Sequence, residues 1–308
     1  MTSTTITVTC WSSHGSALGL LLFILYTADI TELAAKYGVS QNAFADDTHS
    51  CTFTATATVP ASDTSTLESS CIAEVSRWMS TSRRKLNEDT TELLWNGSDH
   101  SIRKLSGNGP TLTLGTNTIN ASADACCLGV TITPDLRLTK HASIVGDKCF
   151  VQLRQLWRVR RSHDADTAAT LIRAFVTSPI DYCNCLLANA SKVWTDKLQQ
   201  ILNAAARLLT ETNKYDPRHT QFLNSDLHWL DVPEMITYKV CLTVFKCLHE
   251  MAPPYFSELC IPVAQIEKRR QLRSAARGQC IVPRIKLMAY GKRAFACARP
   301  SAWNSLSH

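Results

Sequence analysis

Residues 39 to 56, VSQNAFADDTHSCTFTAT, decide how the first part of the chain folds. Apolar and β-branched residues flank Asp46 and Asp47, and this pattern predicts two short strands joined by a tight turn, with both aspartates at the tip of the hairpin. Two carboxylates at such a tip can supply part of a site for two Mg²⁺ ions, because Mg²⁺ prefers oxygen ligands. A solvated acidic turn without chemistry is the alternative.

Helices and further strands are predicted around this hairpin. The apolar run before Gly38 predicts a helix that is buried in the core and ends near that glycine. Apolar residues three and four positions apart predict an amphipathic helix over residues 65 to 81. Residues 84 to 97 predict a turn and a strand, and residues 111 to 136 predict another hairpin with its turn at Gly115.

After about residue 138 the apolar residues follow a helical period. Asp164 and Thr195 are predicted as the N-caps of two helices in this part. The helices are expected over residues 141 to 161, 164 to 178, 192 to 210 and 233 to 251. The predicted fold class is therefore α+β, with a mixed part followed by a helical part.

One predicted helix carries arginines on one face and apolar side chains on another, which indicates a helix packed on one side and basic on the other. A basic face of this kind is a candidate contact for nucleic acid. The basic face consists of Arg154, Arg158 and Arg161, and the packed face is expected to contain Phe150, Leu153 and Trp157.

The C-terminal region is basic throughout. From Lys268 to the end the chain has ten lysines and arginines and no aspartate or glutamate. Such a block attracts polyanions, of which nucleic acid is the commonest, and a solubilising tail is the alternative. The residues predicted to contact nucleic acid here are Lys268, Arg269, Arg270, Arg273 and Arg277.

Composition places the chain among folded proteins. Its 308 residues are enough for roughly two domains, and a hydrophobic content of 45% is enough for buried cores. The 13 cysteines are spread along the chain and the N-terminus has no secretory pattern, so we expect free thiols in an intracellular protein of the nucleus or cytoplasm. The apolar run of residues 17 to 26 is too short to span a bilayer, so no membrane partner is expected.

A zinc site is a weaker possibility in the sequence. Cys247, His249 and Cys260 are zinc-ligand residue types, but they lack the closely spaced pairs of a zinc module. We therefore expect ordinary buried cysteines here, with zinc as the alternative.

Several segments, in order, resemble the reverse transcriptases of LINE-type (non-LTR) retrotransposons. FADD, residues 44 to 47, is similar to the family's aromatic-x-Asp-Asp catalytic hairpin. SHGSALGLLLFILYTADI, residues 13 to 30, resembles the segment that lines the template and nucleotide pocket. WMSTSRRKLNEDTTELLW, residues 78 to 95, and CLGVTI, residues 127 to 132, resemble the motifs that follow the hairpin. Blocks within residues 175 to 306 resemble the family's helical C-terminal region, so the resemblance covers nearly the whole chain.

The resemblance implies an RNA-directed DNA polymerase, a nucleotidyltransferase that extends a DNA primer on an RNA template with Mg²⁺. Its catalytic residues and metal ligands would be Asp46 and Asp47. The residues on the nucleotide side, again by resemblance, would be Gly15, Ser16, Phe44, Ala45, Lys85 and Asn87.

Some positions depart from the family pattern. In the family a further metal-binding aspartate precedes the pocket segment, whereas the first acidic residue here is Asp29. Thr90 stands where the family has a lysine proposed as a general acid toward pyrophosphate, a role that a hydroxyl cannot take. Pro179 replaces a basic residue in a helical pattern that it should end or kink. His14, Leu20 and Cys126 are further departures.

These departures predict a catalytically incomplete fragment, without the fingers and endonuclease that the family carries upstream. A non-catalytic nucleic-acid-binding remnant and a translated relic without selected function are the alternatives. The predicted organisation is a poorly ordered stretch over residues 1–12, a partial polymerase palm over 13–138, a helical thumb-like region over 139–260 and a basic extension over 261–308.

Overall fold

The computed structural model of the chain describes residues 17–44, 47–51, 61–82, 86–97, 111–114, 117–210, 212, 228–267, 271, 277–285 and 291–306. The chain forms two compact units, Met1–Ala125 and Cys126–His308. Helices and short antiparallel hairpins make up the described part, so the mixed helix-and-sheet composition of the predicted α+β class is confirmed. The predicted N-terminal stretch of residues 1–12 lies outside the described residues, and the predicted boundary near residue 138 stays a prediction.

In the first unit, helix α1 (Ala17–Lys36) leads into strands β1 (Ser40–Phe44) and β2 (Asp47–Cys51), which pair antiparallel. Gly38 ends the helix with φ +68°, in the left-handed region that favours glycine. Its amide donates a hydrogen bond to the carbonyl of Ala35 at 3.0 Å. The predicted helix end and the predicted hairpin are both confirmed.

Helix α2 (Ala61–Thr81) packs on the second half of α1 and confirms the helix predicted over residues 65 to 81. The Tyr26 hydroxyl donates to the carbonyl of Ser82 at 2.7 Å, and its ring lies 5.6 Å from that of Trp78. Tyr37 donates a second hydrogen bond between the helices, to Glu74. The buried core shared by these elements consists of Ile30, Leu33, Ala34, Val39, Cys71 and Val75.

The first half of α1 is exposed, so the prediction that its apolar run is buried is wrong for most of its side chains. Leu25 is 72% exposed and Leu18 is 62% exposed. A run that is apolar on every side needs neighbours on every side, and the core of the first unit begins only at Ile30. Among the described residues no helix is long and apolar enough to cross a membrane.

The rest of the first unit is a small hairpin with a bridge. Strands β3 (Leu112–Leu114) and β4 (Asn117–Ile119) pair antiparallel, as the sequence predicts. The strand predicted within residues 84 to 97 is wrong. A 3-10 turn, Glu88–Thr90, stands there instead, followed by a single bridge between Leu93 and Ala121.

The second unit is mainly helical after one hairpin. A two-stranded sheet is formed by strands β5 (Ala125–Cys127) and β6 (Val130–Ile132). The division between the two units falls within β5. All four predicted helical segments are present. The one predicted over residues 192 to 210 has the predicted ends, and the other three differ by a few residues. The helices are α3 (Thr139–Val159), α4 (Ala165–Ile172), α5 (Ser178–Asp181), α6 (Lys192–Thr210), α7 (Val232–Leu248), α8 (Pro254–Ser257) and α9 (Phe295–Asn304).

The main core of this unit is organised by the apolar face of α6. Leu198 and Leu202 are 2% and 1% exposed, one helical turn apart. Gly146 lets α3 approach this face, since a Cβ at that position would lie 3.3 Å from Cδ1 of Ile201. Buried side chains of α3, α4, the turn after α4, and α7 complete the cluster, among them Cys149, Leu153, Ile172, Val176, Val232, Ile236 and Val240.

Helix starts in the second unit agree only partly with prediction. Asp164 is the N-cap of α4, and a hydrogen bond with the side chain of Thr167 lowers the pKa of its carboxyl group. Thr195 is not an N-cap, because α6 begins at Lys192 and the buried Thr195 hydroxyl donates to the Lys192 carbonyl at 2.9 Å. The best-formed cap is a capping box of Asp231 and Glu234 at the start of α7, which sequence reasoning missed.

Pro179 does not end the helix in which it stands. Helices α4 and α5 are continuous through a π-helical turn, Arg173–Thr177, and the helix ends at Asp181. Proline lacks an amide hydrogen and its ring crowds the carbonyl four residues earlier, here that of Phe175. The π turn, which widens the helix at that carbonyl, is the local distortion beside this proline.

A second cluster in this unit contains three cysteine thiols. Cys247, Cys260 and Cys280 are buried together with Val244. Burial raises the pKa of Cys260 to about 12 and that of Cys280 to about 11. The thiols of Cys260 and Cys280 therefore stay protonated in the folded protein at pH values where exposed thiols ionise.

We expect Leu202→Ala to lower the free energy of unfolding by about 3 kcal/mol, because it opens a cavity in the core of the second unit. The matched control is Val193→Ala on the same helix, which removes a side chain that is 69% exposed. Its expected effect is within about 0.5 kcal/mol. Urea denaturation of both variants checks this, and equal losses would contradict the assignment of the buried face.

Stability should also decrease at high pH. Thiols with raised folded-state pKa values contribute stability that is complete below their ordinary pKa of 9.0 and is lost as the pH rises toward 11 to 12. Unfolding under reducing conditions from pH 8 to 11 should show this decrease, and Cys260→Ala should make it shallower. Cys126→Ala, which removes an exposed thiol, is the control and should leave the slope unchanged.

Candidate functional site

The β1–β2 hairpin positions the predicted catalytic motif. Its register pairs Phe44 with Asp47, so only two residues of sequence separate the last paired positions. The Phe44 side chain is 45% exposed. At the other end of β1, the buried Val39 joins the core between α1 and α2 and anchors the base of the hairpin. The motif therefore lies at the end of a hairpin that is held from its base.

Asp46, Ala45, Gly15, Ser16 and Lys85 lie outside the described residues. For Asp47 the structure describes the strand but not the side chain. Phe44 and Asp47 are thus the predicted site residues that the structure brings together, as a backbone pair.

Asn87 is exposed and engaged in its own turn. Its side-chain oxygen accepts a hydrogen bond from the Asp89 amide at 3.3 Å, and its carbonyl accepts one from the Thr91 hydroxyl at 2.8 Å. The Thr90 hydroxyl donates to the same carbonyl at 3.4 Å. These contacts shape the 3-10 turn and give Asn87 a local structural role there.

Within the described part of the chain, no group of three or more His, Cys, Asp or Glu side chains could hold a metal ion. The alternative zinc set is not assembled, because Cys247 and Cys260 are buried while the exposed His249 lies against the ring of Phe245 at 4.2 Å. The side chains of the predicted ligands Asp46 and Asp47 lie outside this described part.

The arginines of α3 and the turn after it have two different environments. Arg154, Arg158 and Arg161 are exposed, as predicted, and none of their guanidinium groups forms an ion pair or hydrogen bond with another described residue. Arg160 points inward instead, donating from Nε to the Leu208 carbonyl at 3.1 Å and from Nη1 to the His163 carbonyl at 3.0 Å. Three guanidinium groups are therefore available to a partner and one supports the fold.

The predicted packed face of this helix is wrong at two of its three positions. Leu153 is buried, but Phe150 is 55% exposed and Trp157 is 66% exposed. The buried face is formed instead by His141, Ala142, Gly146, Cys149 and Leu153. Two large aromatic side chains consequently lie on the exposed side of α3, beside the arginines.

Helical spacing could have revealed this arrangement. At about 100° per residue, Phe150, Arg154 and Trp157 fall within an arc of about 60°. Arg161 continues the same row in the 3-10 turn Arg160–Ser162. Sequence reasoning separated the aromatic from the basic residues because it assumed that large aromatic side chains are buried.

The basic C-terminal block is not uniformly available to a ligand. Arg277 is exposed, whereas Arg299 is only 7% exposed and lies over the rings of Phe256 and Phe295. Burial lowers the pKa of Arg299 to about 10. Arg293 donates to the carbonyls of Leu136 and Asp135, which ties it to the loop before α3. The other predicted contacts, Lys268, Arg269, Arg270 and Arg273, lie outside the described residues.

Comparison with models of protein families, with curated proteins and with solved structures finds no match.

Proposed function

We propose that the chain is part of an RNA-directed DNA polymerase of the retrotransposon type, with the β1–β2 hairpin as the remaining part of its palm. In this proposal Asp46 and Asp47 are ligands for Mg²⁺, which would bind the phosphates of the incoming nucleotide. The RNA template and the DNA primer are the partners.

The observation that supports the proposal is the hairpin itself. FADD occupies residues 44 to 47, and the backbone pair Phe44 and Asp47 is the last of the antiparallel ladder. A motif that functions as a catalytic turn requires one fixed register between the two strands. A shift by one residue would move every side chain of a strand to the opposite face of the hairpin. An acidic surface loop would not require any pairing.

The same geometry argues that this chain does not polymerise by itself. Two carboxylates from one hairpin supply only part of a site that holds two divalent ions. The first acidic residue before the hairpin is Asp29, and it lies on α1 rather than on a strand. Polymerisation would therefore need at least one further metal ligand besides Asp46 and Asp47.

We expect no incorporation of dTTP on an oligo(rA)–oligo(dT) template-primer with Mg²⁺ above the level of an Asp46→Asn, Asp47→Asn variant. Incorporation by the native chain that disappears in this variant would show that the site is complete. Independently, Mn²⁺ titration followed by electron paramagnetic resonance should show weak binding that the double variant loses. The control Asp164→Asn changes an exposed carboxylate elsewhere in the chain and should leave Mn²⁺ binding unchanged. If the double variant also binds Mn²⁺ as the native chain does, the assignment of Asp46 and Asp47 as metal ligands is refuted.

A second candidate function is nucleic-acid binding without catalysis. The specific observation in its favour is the set of three exposed arginines, Arg154, Arg158 and Arg161, which lack acidic partners among the described residues. The sequence from Lys148 to His163 contains no aspartate or glutamate, and the exposed Asp147 and Asp164 flank it. Such a face neutralises phosphates and releases their counterions.

The affinity for an RNA–DNA duplex should fall steeply with salt. Replacing all three arginines with alanine should reduce the slope of log K against log salt by about 3, because each phosphate contact contributes about 0.9. Arg137→Ala is the control, since that side chain is held by Asp135 at 3.4 Å. Affinity that does not change with salt would contradict the electrostatic account.

A further inference from the structure

We infer that the exposed side of α3 binds unpaired nucleotides by stacking them on Phe150 and Trp157, with phosphates held by the arginines between and beside the two rings. This inference rests on the nucleic-acid-binding function proposed above and specifies its ligand, a single strand. The aromatic–basic row is defined here as Phe150, Arg154, Trp157, Arg158 and Arg161.

Exposure of the aromatic members is the first step of the argument. Phe150 and Trp157 are 55% and 66% exposed, and they lie on a helix whose buried face is fully used, with Cys149 at 1% and Leu153 at 7% exposure. Leaving two large rings in water is unfavourable by about 25 cal/mol for each Å² of apolar surface. Within the described part of the second unit no neighbouring element buries these rings, so a ligand that covers them would gain this free energy.

Charge identifies the kind of ligand. The row contains three arginines and no carboxylate. The exposed Asp147 lies one helical turn before Phe150, and the sequence has no further aspartate or glutamate until Asp164. A protein surface of mixed charge would place its own lysines or arginines near the three arginines of the row, and the like charges would repel. A chain of phosphates carries only negative charge and would not be repelled. Arginine planes also stack on bases and add cation–π attraction, so every member of the row can contact a nucleotide.

Spacing favours a single strand over a duplex. Phe150 and Trp157 are seven residues apart, which separates them by about 10 Å along the helix axis. Arg154 lies between them on the same arc, so rings and charges alternate along the row. In a duplex the base faces are already stacked on one another, so a protein can reach only base edges and phosphates. A duplex would therefore contact the arginines but leave Phe150 and Trp157 without stacking partners.

The test compares oligonucleotides of about 12 residues, oligo(rU) and oligo(dT), with a duplex of the same length by fluorescence anisotropy. The native chain should bind the single strands more tightly than the duplex. Trp157→Ala and Phe150→Ala should each weaken single-strand binding about ten-fold, because stacking on one aromatic side chain contributes about 1–3 kcal/mol. Trp157→Phe should keep most of the affinity, and duplex binding should stay near the native value in all three variants.

Matched controls separate stacking from general damage and from charge. Tyr238→Ala removes an aromatic side chain on α7 that is 58% exposed, and it should leave binding unchanged. The triple arginine variant should lower the salt slope for single strands by about 2, whereas Trp157→Ala should leave that slope intact. Stronger binding of oligo(rU) or of oligo(dT) identifies RNA or DNA as the source of the unpaired strand.

Two results would overturn the inference. If the duplex binds as tightly as the single strands and Trp157→Ala has no effect, the row is a charge patch only, and the proposed binding function survives without stacking. If neither nucleic acid binds while the chain self-associates through Trp157, the rings form a protein interface, and the binding function fails as well.

Discussion

Burial of the apolar face of α6 is the constraint on which the second unit depends. Leu198 and Leu202 are almost completely enclosed, and helices α3, α4 and α7 are placed by the need to cover them. Once α3 turns Gly146, Cys149 and Leu153 toward this core, the opposite side of the helix must face solvent. This packing leaves Phe150, Trp157 and the three available arginines exposed to solvent.

The first unit is organised by a smaller core. Val39 connects α1 to β1, and Cys71 and Val75 of α2 cover it from the other side. This cluster includes Val39, which directly precedes β1, and so holds the base of the β1–β2 hairpin. It does not reach the first half of α1, where the described leucines stay exposed, namely Leu18, Leu21, Leu22 and Leu25.

Features with a local physical cause were predictable. Gly38 ends α1 because its positive φ is easily adopted by glycine, and the helical period after residue 138 does correspond to helices. Features that depend on distant residues were not. Thr195 resembles a cap in sequence but stands inside α6, and Arg160 and Arg161 are adjacent, yet only Arg160 finds the Leu208 carbonyl.

By itself, the sequence determined the order of helices and hairpins and the place of FADD at the end of a hairpin, because periodicity and turn residues act over a few positions. It also supplied the resemblance on which the proposed polymerase origin rests. Only the tertiary structure decided which side of α3 is buried and that Arg299 lies inside while Arg154 lies outside. Burial is a relation between elements far apart in the chain, so no single segment contains that information.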